Sequence, residues 1–244
     1  LYHAYSKRVD AFSIGREALL DEVKWGENGW PVINEGRGPS GTAPSPIDST
    51  ERPGAVEFFD GFTAPQLDAS WQWPMSGEQT VSVEVASGHL VLAPSGAAAA
   101  SVDKLTGAVL GQRVRSGDYV ATTVVDARAM ATGANAGLSA YGWRQEAAGI
   151  SIGGGRVFVW RREGQEERTI AAASVPTVPS VYLRMSVTNG EQFRFAYSAN
   201  GREWKELGGI VLGSHIEEAH VALTVGGTTQ GARFDWVKVT PAHP

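Results

Sequence analysis

Groups able to do chemistry are sparse in this chain of 244 residues, and their spacing limits what they could do. Trp71-Gln72-Trp73-Pro74 places two indoles on one side of an extended segment, and Tyr141, Trp143 and Trp160 sit on later strand-like stretches. Aromatic faces stack on sugar rings through dispersion and C–H/π contact. They also fill the core of a β-sandwich, and the sequence leaves both readings open. Asp21-Glu22 and Glu217-Glu218 are carboxylates adjacent in sequence. Such pairs make a solvated face more readily than an acid/base couple, which needs two carboxylates converging from separate strands. Gly153-Gly154-Gly155 has no helix after it, so it reads as a hairpin turn or bulge rather than a phosphate cradle. No His-Glu-x-x-His and no phosphate loop occurs. A Ser–His–acid triad can always be drawn from 26 carboxylates and 5 histidines, so its presence on paper carries no weight. The chain has no Cys, which excludes disulfides, thiolate metal sites and thiol nucleophiles.

The elements that must position these residues are strands. Gly makes up 30 of the 244 residues and charged residues only 19%, a composition of many turns joining short strands. Val81-Ser-Val-Glu-Val85 alternates, turns at Ser87-Gly88 and returns at His89-Leu-Val-Leu92. Residues 119–125, 136–143, 157–160 and 169–174 are strand-like. Val181 to Val187 alternates again, and Asn189-Gly190 then supplies a type I′ turn before Gln192 to Tyr197. His220 to Val225 and Ala232 to Val239 finish the series. Ten or more short strands at this spacing predict a two-sheet antiparallel sandwich, nearly free of helix from 55 onward.

Residues 35–55 are rich in Pro, Gly and Ser without an apolar period and predict a linker. Residues 1–34 are too few to fold alone and carry Tyr2, Phe12, Trp25 and Trp30, so they must dock on a neighbour. Within them, propensity alone makes Gly15–Trp25 a helix. The net charge of −5 and the lack of a Lys/Arg run argue against nucleic acid or an anionic membrane as partner. No apolar stretch approaches the roughly 18 residues of a membrane span.

Two motif sets carry a resemblance. The first is Tyr2-His3-Ala4-Tyr5, Gly15-Arg16, Leu19-Leu20-Asp21, Trp25 and Gly29-Trp30-Pro31-Val32. It resembles the closing blade of the five-bladed β-propeller of glycoside hydrolase family 43, the β-xylosidases, α-L-arabinofuranosidases and arabinanases. The second is Phe58-Phe59-Asp60-Gly61-Phe62, Leu67-Asp68, Trp71-Gln72-Trp73, Tyr197-Ser198, Asn200-Gly201, Trp204 and Phe234-Asp235-Trp236. It is similar to the concanavalin A-like sandwich that follows the propeller in many members. The resemblance implies an all-β chain: propeller strands over 1–34, a linker over 35–55 and a concanavalin A-like sandwich (jelly roll) over 56–244.

The resemblance implies more. The family's catalytic base, pKa-tuning Asp and acid Glu lie on earlier blades, upstream of Leu1, so no residue here takes a catalytic role. Partners are then an oligo- or polysaccharide containing xylose or arabinose and the remainder of the propeller, in the same protein or a nicked chain. The setting is extracellular, periplasmic or the bacterial cytoplasm. Arg16 matches a position that hydrogen-bonds the terminal sugar, and its competing reading is an ion pair with Glu17 or Asp21. His3 matches a histidine near the propeller axis, its competing reading a satisfied histidine on a buried strand. Related glucanases hold a structural Ca²⁺ where first and last strands meet, which would give Asp60 and Asp235 as metal ligands. If Phe234 and Trp236 both face the core, alternation turns Asp235 outward. The alternatives of another class are a non-catalytic, lectin-like sugar-binding sandwich and a purely structural buttress.

Overall fold

The computed structural model describes residues 2–5, 16–38, 40, 43–44, 57–73, 81–86, 88–95, 105–164, 166–213 and 215–242. The first four strands form two separate hairpin-like pairs. β1 (Tyr2–Tyr5) runs antiparallel to β2 (Arg16–Leu19), and β3 (Val23–Trp25) to β4 (Pro31–Ile33). The helix expected from propensity over Gly15–Trp25 is therefore replaced by two strands. Backbone pairing overrides a propensity difference of a few tenths of a kcal/mol per residue. Trp25 and Trp30 are 73% and 72% exposed, so these rings do not bury against the sandwich. The only helical turn among the described residues is a 3₁₀ turn at Asn34–Gly36.

The remaining strands build two sheets. One contains β5 (Phe58–Asp60), β7 (Val81–Ala86), β8 (His89–Pro94), β10 (Tyr119–Asp126), β15 (Ser180–Thr188), β16 (Gln192–Ser198), β17 (Lys205–Leu212) and β19 (Ala232–Pro241). Its order is β17-β16-β15-β10-β19-β8-β7. The ten-residue β19 pairs with β10 along one edge and with β8 and then β5 along the other. The second sheet contains β6 (Trp71–Gln72), β9 (Ala108–Arg113), β11 (Asn135–Tyr141), β12 (Ala147–Gly153), β13 (Arg156–Glu163), β14 (Glu166–Ser174) and β18 (His220–Gly226). Its order is β14-β13-β12-β11-β18-β9-β6. All the pairings are antiparallel, and the core lies between the sheets, filled by Leu90, Leu92, Leu110, Leu138, Phe193, Phe195 and Phe234 among others.

The hairpin chemistry follows the sequence. Gly154 and Gly155, at φ 57° and 72°, turn β12 into β13 with Gly153 opposite Arg156. That is the turn read from the three glycines. Asn189 and Gly190 also take positive φ between β15 and β16, although Thr188 pairs with Gln192 and the loop holds three residues. β9, β12 and β17 were not marked by the sequence.

Candidate functional site

The second sheet carries the densest arrangement of polar and aromatic groups. Leu110, Leu138, Ile150, Val159 and Leu223 turn inward to the core. Alternation therefore turns Gly111, Ser139, Gly149, Ser151, Trp160 and Ala222 to the outer face. In most sandwiches such residues face water, yet β12 is buried along its whole length. The reason is Trp160. Its ring is fully buried in a cluster with Val109, Tyr141, Ala147 and Ala222, separate from the main core. A Cβ on Gly149 would meet the Trp160 ring at 2.6 Å, so only glycine lets the indole lie flat there. The indole Nε1 donates to Ser151 Oγ at 2.8 Å.

Ser151 is the centre of Gly149-Ile150-Ser151-Ile152-Gly153, which has the Gly-x-Ser-x-Gly spacing of a nucleophile elbow. That motif works only on a sharp strand-to-helix turn. Here Ser151 lies inside a regular strand opposite Gly137 and Phe158, buried, with its oxygen accepting the Trp160 hydrogen. It is a structural serine.

Arg162 closes the same face. It is 3% exposed, its Nε donates to the Gly164 carbonyl at 3.0 Å, and its terminal nitrogens donate to Gln145 Oε1 at 2.7 Å and to Thr106 Oγ1. Glu167 sits 3.7 Å from the guanidinium and accepts from Leu105 N–H at 2.8 Å and Thr106 Oγ1 at 3.1 Å. A buried charge persists only when paired and hydrogen-bonded, and this one is both. The Leu105–Thr106 segment is thereby tied to β13 and β14 over the outer face.

The rim of this sheet is open. Gly142 N–H donates to the Glu146 carbonyl at 2.8 Å, closing a turn, and Trp143 N–H donates to the Glu217 carbonyl at 3.2 Å. The Trp143 indole also donates to Glu217 Oε2 at 3.3 Å, while the Arg144 guanidinium stands 4.9 Å from the Trp143 ring centroid. Burial raises the Glu146 carboxyl above its ordinary range, Arg144 opposes the rise, and Glu217 reinforces it. Glu217 is thus coupled to Glu146 from another loop rather than acting with its sequence neighbour Glu218. Sequence reading had no signal for this, because 71 residues separate the two. A 41%-exposed indole beside two carboxylates offers a stacking surface and hydroxyl acceptors.

The four residues singled out from the sequence lie elsewhere. Arg16 pairs with Tyr5 and His3 with Ala18 across β1 and β2; their side chains fall outside the described structure. Asp21, the competing ion-pair partner for Arg16, accepts from Ser40 N–H at 3.0 Å and from the Ser40 hydroxyl. These bonds lower its pKa. Asp60 stands at the end of β5, opposite Val237, so the first and last strands of the sandwich do lie together. Its Oδ1 accepts from Phe62 N–H at 2.8 Å and its Oδ2 from the Trp71 indole at 2.7 Å. Asp235 lies 3.7 Å from His89 Nε2. No group of three or more His, Asp or Glu suited to a metal occurs among the described residues.

Asp235 faces outward, as alternation from Phe234 requires, but the condition that Trp236 also faces the core is not met. Thr123 pairs with Val237 and Val125 with Phe234, so Asp235 and Trp236 together face one residue of β10. This bulge breaks alternation. Phe234 is fully buried, whereas Trp236 meets Phe59 and Tyr182 outside the core.

Residues 59–240 match the family model for the beta-xylosidase C-terminal concanavalin A-like domain, about three quarters of the chain. The chain belongs to this family. Solved structures agree with this concanavalin A-like fold. The crystal structure of the GH43 BlXynB protein from Bacillus licheniformis aligns with TM-score 0.74 and 21% identity, covering 95% of this chain and 48% of that one. Xylan beta-1,4-xylosidase from Bacillus halodurans C-125 aligns with TM-score 0.68 and 19% identity, covering 93% and 47%. An engineered GH43 glycoside hydrolase displaying endo-xylanase and exo-arabinofuranosidase activity aligns with TM-score 0.74 and 19% identity, covering 95% and 50%. The chain thus spans about half the length of these proteins. Among curated proteins none matches. No helix among the described residues is long and apolar enough to cross a membrane.

Proposed function

We propose that this chain is the C-terminal portion of a family 43 glycoside hydrolase acting on xylose- or arabinose-containing plant polysaccharide, with the sandwich as its ancillary domain. The match of residues 59–240 to the xylosidase C-terminal domain carries this reading. The exposed Trp25 and Trp30 on the β3–β4 pair support it, since two bare indoles are an apolar surface fit to be covered by the remaining propeller. In that assembly a base on an earlier blade would activate water on one face of the sugar while an acid protonates the leaving oxygen on the other. Arg16 would hold the terminal sugar with its fixed fork of donors, and His3 would line the propeller axis. An extracellular or periplasmic setting suits a polymeric substrate.

The test is hydrolysis by the intact protein of xylo- and arabino-oligosaccharides, with products resolved by chromatography. Release of free pentose is expected. Arg16→Ala should lower kcat/KM by roughly tenfold to a thousandfold, and Arg16→Lys should restore little. No pentose release from either substrate would overturn the proposal.

A structural Ca²⁺ held by Asp60 and Asp235 is a separate proposal, supported by the adjacency of β5 and β19. Two carboxylates fall short of the six to eight oxygens Ca²⁺ takes, so backbone carbonyls near Gly61 and waters would have to complete the shell. Both Asp60 oxygens already accept N–H donors, against which the ion would compete. Saturating Ca²⁺ should raise Tm and EDTA reverse the rise; a Tm indifferent to both would reject the site.

A further inference from the structure

The outer face of the first sheet carries a row of rings that the core does not need. Val181, Leu183 and Met185 of β15 are fully buried in the core, so Tyr182 and Arg184 face outward. Val237 and Phe234 do the inward packing on β19, and the bulge between them sends Trp236 outward. Phe59, 60% exposed, lies beside it. Ring centroids are 6.3 Å apart from Phe59 to Trp236 and 6.4 Å from Trp236 to Tyr182. Beyond Tyr182, the Arg184 guanidinium lies 3.6 Å over the Trp204 ring. A bulge interrupts a ladder and re-aims a side chain. Here it takes an indole that simple alternation would bury and sets it in the row, while Thr123 Oγ1 donates to the Trp236 carbonyl at 2.7 Å.

A cleft of ≈ 430 Å³ opens at Asp235, the chain neighbour of Trp236 in the bulge, and at Ser180, two residues before Tyr182 on β15; Asp126, Arg128, Arg233 and His89 line it as well. It holds two arginines against two aspartates, so it offers donors and acceptors without a dominant charge. Such a lining suits a neutral, hydroxyl-rich ligand better than an anion or a cation. With Phe59 60% exposed and Trp236 and Tyr182 each partly buried, the exposed area of the three rings is on the order of 100–300 Å², taking about 150–250 Å² for a whole aromatic side chain. That is well below the roughly 800 Å² a stable protein partner needs.

We propose that Phe59, Trp236 and Tyr182 form a stacking platform for a short run of neutral sugar rings whose hydroxyls enter the Asp235–Arg233–Ser180 cleft. The choice of a β-1,4-linked xylose chain as that ligand rests on the proposed function; the platform itself does not. It is distinct from the Trp143–Glu217 rim, which lies on the other sheet.

The experiment is calorimetric titration of the full chain with xylohexaose, and with maltohexaose and cellohexaose as comparison ligands. Xylohexaose should bind. Phe59→Ala, at an exposed position with little structural role, should weaken binding roughly three- to tenfold, and Trp236→Ala at least as much. Ile170→Ala, exposed on the opposite sheet, should leave binding unchanged, and Tm recorded for each variant separates lost binding from lost fold. No binding of any of the three oligosaccharides overturns the platform, as does binding that Phe59→Ala and Trp236→Ala leave intact. Preference for cellohexaose or maltohexaose overturns the ligand class and keeps the place. Binding without pentose release by the intact protein would sink the proposed function and leave the platform standing.

Discussion

Replacing Asp60 by Ala should destabilise the fold with or without calcium. The carboxylate accepts from Phe62 N–H at 2.8 Å and from the Trp71 indole at 2.7 Å, joining the end of β5 to β6 on the other sheet. Phe62 sits at φ 51°, a positive value that a residue without glycine's freedom adopts only when held there, and its ring is buried beside Trp71. Trp71 is itself 7% exposed, so removing the acceptor strands an indole N–H in a largely dry place. A hydrogen bond to a charged group contributes about 1.5–3 kcal/mol and an orphaned buried donor costs about 1–3 kcal/mol. These figures overlap rather than add, which puts the loss at about 2–4 kcal/mol. For a domain of this size that is roughly 4–16 °C in Tm. Trp71→Phe keeps an aromatic ring but removes the donor together with the pyrrole half of a buried indole; half-buried Asp60 can then turn to water, so the cost should be about 1–3 kcal/mol, most of it lost packing. The double variant should lose less than the sum of the two single losses, a coupling of about 1 kcal/mol or more. Chemical denaturation in EDTA and in Ca²⁺ measures all four corners of the cycle. A loss below about 1 kcal/mol for Asp60→Ala, or additive single losses, would refute the strut.

Gly149→Ala should cost at least the 1–3 kcal/mol typical of overpacking, because its methyl would meet Trp160 at 2.6 Å and Ser139 Cβ at 2.8 Å; near-UV circular dichroism should report a displaced indole, and an unchanged spectrum would show that the face can yield. Ser151→Ala should cost about 1–3 kcal/mol by stranding the Trp160 Nε1–H. If the proposed glycoside hydrolysis holds for the intact protein, Ser151→Ala should leave it untouched, and loss of turnover at unchanged Tm would argue for a catalytic serine after all. Burial, with help from Arg113, lowers the pKa of His220 below the ordinary histidine value. The unfolded chain then protonates first, so His220 costs nothing above about pH 6.5 and stability falls as pH drops from there to the folded-state pKa. His220→Gln should flatten that fall in thermal melts taken from about pH 8 to pH 5, and a profile with the wild-type slope would exonerate the residue.

What the sequence could show followed from alternation and turn chemistry. β7, β8 and β15 alternate because one face meets the core and the other does not, and glycine or asparagine at positive φ marks their turns. β12 escaped for the opposite reason. Both of its faces are buried, the outer one under Trp160, so Ala147–Gly153 has small residues where a half-buried strand would show polar ones, and only Ile150 and Ile152 mark a period. β17 is interrupted by Gly208 and Gly209 at φ 82° and 67°, which shift its register against β16. The candidate site was legible only in part: Trp143 and Trp160 stood out as aromatic residues, but not which of them would be sealed under a sheet. The meeting of the first and last strands at Asp60 could be anticipated, but not that the Trp71 indole would claim the carboxylate, and the metal role of Asp60 and Asp235 stays a proposal. The Glu146–Glu217 coupling and the reach of Arg162 to Thr106 depend on contacts between distant loops, which leave no local pattern.

The two outer faces of the sandwich therefore diverge through single backbone events. On the second sheet, Gly149 lets an indole lie flat, and Trp160, Arg162 and the Leu105–Thr106 segment seal the surface into a second small core. Sealing leaves the rim at Trp143 as the exposed aromatic part of that face. On the first sheet, one extra residue at Asp235–Trp236 sets an indole outside the core and leaves Phe59 uncovered beside it. Either event could be reversed by one substitution or deletion without disturbing the core, since Phe234, Val237, Leu138 and Ile150 keep their places in both cases. Deleting Asp235 should therefore remove the bulge and leave Trp236 alone opposite Val124, still on the outer face, with Phe234 and Val237 keeping their inward places. The deletion should then cost little more than Asp235→Ala, and urea unfolding of the two variants decides it: a far larger loss for the deletion would mean that the bulge itself holds β19 in register.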